Sequence, residues 1–117
     1  MHLTEALRAA FEAPSDAMCL RTAERIASLI IRRHAADSNY RVAEHFDQEW
    51  NADPNYRGSD IFRPSGTTPG HWLEWSRPLL QLWELGGSKL DWLPDTAAKP
   101  FRNPFDLCWD KERGGFF

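Results

Sequence analysis

Residues 3–34 read LTEALRAAFEAPSDAMCLRTAERIASLIIRRH, and this stretch decides the fold class. Leu3, Ala6, Leu7, Ala10 and Phe11 recur at the spacing of one helical face, which predicts an amphipathic helix at the N-terminus. Ala13-Pro14-Ser15-Asp16 ends that helix and starts another, because proline cannot continue a helix and aspartate caps the next one. From about Asp16 to His34, a second apolar stripe follows: Cys19, Leu20, Ala23, Ile26, Ala27, Ile30 and Ile31. Two amphipathic helices joined by so short a link predict an antiparallel helical hairpin, and an all-α fold.

Downstream the pattern loosens and then returns to helix. Residues 40–50, YRVAEHFDQEW, alternate at Tyr40, Val42 and Phe46, which predicts a small strand or hairpin insertion. Asn51 to Gly66 is rich in Asn, Asp, Pro, Gly and Ser and reads as a long loop, a length often tied to function. A third helix is expected over Pro69–Leu85, with Thr68 as its cap, Pro69 in its first turn and Gly86-Gly87 closing it. A fourth starts near Asp91, with Trp92, Ala97, Ala98, Phe101 and Phe105 on one face. Pro78, Pro100 and Pro104 fall inside these helices, where each lost N–H and ring clash costs about 3 kcal/mol or more.

The 117 residues make one domain of ordinary globular composition, 42% hydrophobic and 26% charged. A net charge of −3, with the basic residues scattered among acids, argues against a nucleic-acid partner. No apolar run approaches the roughly 18 residues of a membrane span, so no membrane partner is expected. Cys19 and Cys108 are far apart and lack metal-type spacing, which fits a reduced, cytoplasmic protein. The six tryptophans either fill the core and its rim or floor a ligand pocket.

The residues that carry chemistry sit at two helix starts. His71 and Glu74 lie one turn apart in the third helix, and His2 and Glu5 repeat that H-x-x-E pattern in the first. If helical hairpins repeat around an axis, both starts face a shared pocket. Imidazole titrates near neutral pH, so two such histidines could take a proton from carbon next to a carbonyl and return it. A carboxylate-bridged metal site is the other reading of His and Glu at this spacing. Those sites use the Glu-x-x-His order with further glutamates from facing helices, which the chain lacks. No metal or other cofactor is therefore expected. His34 closes a helix and reads as structural, His45 could face either way, and Arg63 either enters a pocket or pairs with Asp60.

Four strings then carry a resemblance: MHLTEAL at 1–7, EHFDQEW at 44–50, FRPSGTTPGHWLEW at 62–75 and WDKERGGF at 109–116. Collinear over essentially the whole chain, they resemble the N-acylglucosamine 2-epimerase family, with its mannose isomerase and sulfoquinovose isomerase-like members. The resemblance implies that residues 1–117 form part of an α/α-barrel, a toroid of six helical hairpins with its active site at one end of the inner helices. It implies metal-free interconversion of aldose and ketose, or epimerisation at C2, through a cis-enediol. On that footing His71 is one of an acid/base pair and His2 helps open the sugar ring or hold its oxygens. Glu74 binds a hydroxyl and supports the histidine, Arg63 is a pocket residue, and Trp75 packs behind the site.

Members of that family are several times longer. Their second acid/base histidine comes from a late helix and an enediol-stabilising arginine from an early one, and neither has a counterpart here. The expectation is a central fragment that carries half a monosaccharide site, with negligible turnover by itself. Its uncovered apolar helix faces would favour self-association. The alternative is an inactive gene remnant, or a small helical interaction protein without catalysis.

Overall fold

A computed structural model describes residues 1–13, 16–58 and 65–116. Helix α1 spans His2–Glu12 and α2 spans Ala17–Ala27, the latter capped by the Asp16 carboxylate accepting from the Met18 N–H at 2.8 Å. Pro14 and Ser15, which the sequence places in the link, lie outside the described residues. The two helices pack against one another, and α2 also touches α3, Pro69–Leu85, which packs on α4, Trp92–Leu107. The described residues therefore form helical hairpins with no β-sheet, only three isolated bridges.

The second stripe does not continue as α-helix to His34. From Ser28 to Ala35 the chain widens into π-helix, followed by a short 3₁₀ turn at Ala36–Ser38. Ala23, Ala27, Ile31 and Ala35 are all essentially fully buried, at a constant spacing of four. In an α-helix a spacing of four drifts round the cylinder, because a turn takes 3.6 residues. The wider π turn reverses that drift, so all four residues of the stripe stay in the hydrophobic core.

Two helical faces are rotated from their predicted positions. On α1, Leu3 is 62% exposed and Ala6 is also exposed, while Thr4 is completely buried. Contact with α2 and α3 selects the side of Thr4, Leu7 and Phe11. On α4, the buried side is Leu93, Thr96, Ala97, Pro100, Asn103 and Pro104, and Ala98, Phe101 and Phe105 face outward. Phe105 instead collects Phe101, Trp109 and Phe116 around it, with ring centroids 5.2–5.9 Å away.

All three helix-interior prolines are fully buried. Helices α3 and α4 run without interruption through them. Burial of the rings offsets part of the lost backbone bonds, since covering apolar area stabilises by about 25 cal/mol per Å². A Schellman arrangement closes α3: Ser88 N–H donates to the Trp83 carbonyl (2.8 Å) and Gly87 N–H to that of Glu84 (3.1 Å), with Gly87 at φ +70°.

The strand expected over residues 40–50 reduces to single bridges, Ala43 with Thr67 and Phe46 with Ala52. Asn39 and Tyr40 both adopt positive φ as the chain leaves the 3₁₀ turn. That bend is held from α4, where the Asn103 amide donates to the Asn39 carbonyl and the Lys99 ammonium lies 4.5 Å over the Tyr40 ring. The radius of gyration is 15.0 Å, where a compact chain of this length has about 13 Å. The hairpins are thus less compact than a globular chain of this length, with extents of 44 × 34 × 25 Å. Among the described residues no helix is long and apolar enough to cross a membrane.

Candidate active site

A cleft of about 240 Å³ opens where the starts of α1 and α3 meet the segment after the π-helix. His2 and His71 both line it, so the fold brings the two predicted histidines to one pocket. Glu44, Phe46 and Trp75 line it as well, with Ile30, Val42 and Ala43 behind them. Trp75 is 3% exposed, so it walls the cleft while packing into the core. Phe46 lies against the His34 ring (5.1 Å) and Trp50 (5.9 Å), an aromatic cluster under one side. His45 turns away and stacks on Tyr56 at 3.5 Å.

His71 does not pair with Glu74. Its Nδ1 lies 2.8 Å from both carboxylate oxygens of Glu44, a residue 27 positions earlier. The Thr68 hydroxyl donates to the same carboxylate. Thr68 does occupy the cap position of α3, but its side chain makes no capping bond to the helix because it is turned to Glu44. Glu44 is brought there by backbone: its N–H donates to the Gly66 carbonyl at 2.9 Å, beside the Ala43–Thr67 bridge. Gly66 sits at φ +82°, a conformation that glycine adopts without steric cost. The Glu44 side chain is only 10% exposed and lies beside the first turn of α3, where the helix dipole favours an anion.

Glu74 is exposed on α3 and lies outside the residues lining the cleft. It remains close by. Burial holds the Met1 α-amine below its ordinary pKa, and the charges of Glu5 and Glu74 partly oppose that shift. His2 keeps its predicted local partner, with Nδ1 3.3 Å from Glu5, but its side chain is 86% exposed. Arg63, the remaining predicted pocket residue, lies outside the described residues. Among those described, no three His, Cys, Asp or Glu side chains converge to hold a metal ion.

Glu44 is the residue that sequence reasoning missed. The signal was present: in an extended segment alternate side chains share a side, so Val42, Glu44 and Phe46 belong together. Alternation read through apolar positions alone passes over a carboxylate in that row.

The model of the N-acylglucosamine 2-epimerase (GlcNAc 2-epimerase) family matches residues 1–117. A D-mannose isomerase from Pseudomonas cannabina pv. alisalensis is 41% identical over 117 aligned positions, covering 94% of this chain and 28% of that protein. One from Thermobifida fusca is 41% identical over 112 positions, covering 93% and 28%. The crystal structure of a D-mannose isomerase superposes with a TM-score of 0.85 at 34% identity, over 97% of this chain and 29% of the other. The chain thus spans under a third of the length of the relatives it matches. It belongs to the N-acylglucosamine 2-epimerase family, and its helical hairpins are a sector of that family's α/α-barrel.

Proposed function

We propose that this chain supplies one wall of a monosaccharide site for aldose–ketose isomerisation of a mannose-type sugar, or for epimerisation at C2. The observation that carries the reading is the convergence of His71 and His2 on one cleft with aromatic walls. His71 acts as the acid/base. It takes the proton from C2 of the open-chain aldose, the electron pair enters a C1–C2 double bond, and the C1 carbonyl oxygen gains a proton to give a cis-enediol. Loss of the O2 proton and protonation at C1 then give the ketose. Reprotonation of C2 from the opposite face would give the epimer instead. His2 assists ring opening or holds sugar oxygens, Glu74 binds a hydroxyl, and Arg63 is a further substrate-binding residue. No cofactor enters this scheme.

A two-group proton transfer needs acid and base positioned together, and a misplaced or missing group can cost most of the rate. We therefore expect sugar binding without appreciable turnover from these residues alone. Titrating D-mannose and D-fructose while following the histidine ring resonances tests this. The expected result is saturable shifts at His71 and His2, lost in His71→Ala. No shift at any concentration would overturn the sugar reading. Conversion of mannose to fructose that His71→Ala abolishes would overturn the half-site reading.

Two free, half-buried thiols, Cys19 and Cys108, fit a reducing compartment, and we infer a cytoplasmic protein. The outward rings of Phe101, Phe105, Trp109 and Phe116, each 40–52% exposed, support self-association of the chain. Sedimentation should show mass rising with concentration, and less so in Phe101→Ser.

A further inference from the structure

We propose that Glu44 is a positioning residue that holds the neutral His71 ring in the tautomer with its proton on Nδ1. An ionised carboxylate only accepts hydrogen bonds. With both Glu44 oxygens 2.8 Å from Nδ1, the proton between them belongs to the imidazole. The other ring nitrogen, Nε2, is then left with its lone pair on the side away from Glu44. His71 is 46% exposed and lines the cleft, so that lone pair is accessible to a bound molecule.

Thr68 completes the device. A hydroxyl at a helix cap ordinarily accepts from a backbone N–H of the first turn. Here it donates to Glu44 instead, which fixes the carboxylate from a second direction. The backbone bond from the Glu44 N–H to the Gly66 carbonyl anchors the main chain that carries it. The carboxylate is largely covered, so water competes weakly for its oxygens. His2 has none of this: its partner Glu5 is on the same helix, 42% exposed, at 3.3 Å. Of the two histidines that line the cleft, His71 is the one with a covered, doubly held carboxylate partner.

The catalytic consequence, a histidine poised to accept a carbon-bound proton at Nε2, rests on the proposed function. The tautomer itself does not, and the two fail separately. Long-range ¹H–¹⁵N spectra report which ring nitrogen carries the proton. They would be recorded on the 117-residue chain at about pH 9, above the ordinary imidazole titration. The expected spectrum has His71 as the Nδ1–H tautomer and His2 as the Nε2–H form that dominates free imidazole side chains. In Glu44→Ala and Glu44→Leu, which both lack an acceptor, the Nε2–H share of His71 should rise several-fold, while Glu5→Ala leaves His71 unchanged. Unchanged tryptophan indole resonances would show that each variant keeps its fold. An Nε2–H tautomer at His71 in the unaltered chain overturns the proposal even if neither variant folds. So does an Nδ1–H population that survives in a folded Glu44 variant. A result for either sugar in the titration above alters neither outcome.

Discussion

Helices α1 and α3 open with the same four-residue pattern, a histidine followed one turn later by a glutamate, and the fold treats them differently. In α1 the pattern is self-contained. His2 meets Glu5 on the surface at 3.3 Å, a pair of the kind that contributes a few tenths of a kcal/mol. In α3 the local glutamate is passed over, and His71 reaches 27 residues back to a covered carboxylate that Thr68 also binds. A local spacing states which side chains could meet; burial and competing partners decide which do. The histidine with the long-range partner is the one with a defined geometry.

The largest effect that could break this contrast is on stability. Glu44→Ala removes the acceptor for both the His71 ring and the Thr68 hydroxyl, and unmet polar groups of this kind cost about 1–3 kcal/mol. Glu5→Ala should stay within about 0.5 kcal/mol, as exposed substitutions do. Urea unfolding of the two variants compares them directly, and equal losses would erase the distinction. Thr68→Val comes next, at about 1 kcal/mol for one lost hydrogen bond, whereas Thr68→Ser should be close to neutral. A comparable loss in Thr68→Ser would point to the methyl group and packing rather than to the hydroxyl. The smallest effect is that of salt. Near 1 M ionic strength the Debye length falls to about 3 Å, so the small contribution of Glu5 should vanish while that of Glu44 persists.

Much of the fold was legible because helices announce themselves by period. The bounds of α3 agree with those read from Thr68, Pro69 and the Gly86-Gly87 stop, all of which act through local backbone geometry. Where a helix has two plausible apolar sides, the sequence alone did not choose. Phe101 and Phe105 look like core, and only packing on α3 reveals that the proline side is buried instead. The π-helical stretch was hidden for a related reason, since a stripe spaced by four fits a loosely read α-helix equally well. At the cleft, His2 and His71 were found through a recurring pattern. Glu44's place in a row with Val42 and Phe46 is legible by alternation, but its partner is not, because the link to His71 depends on a bend at Asn39 and Tyr40 and the Ala43–Thr67 bridge.

The central claim is that His71 is wired across the fold to Glu44 whereas His2 is not wired beyond its own helix. Paired double-mutant cycles measure that claim most directly: Glu44→Ala with His71→Ala, and Glu5→Ala with His2→Ala, each followed by chemical unfolding. Contacting residues in one hydrogen-bond network couple by about 0.5–3 kcal/mol. The Glu44–His71 cycle should fall within that range, and the Glu5–His2 cycle should give no more than a few tenths. Coupling of equal size in the two cycles, or none between Glu44 and His71, would contradict the account.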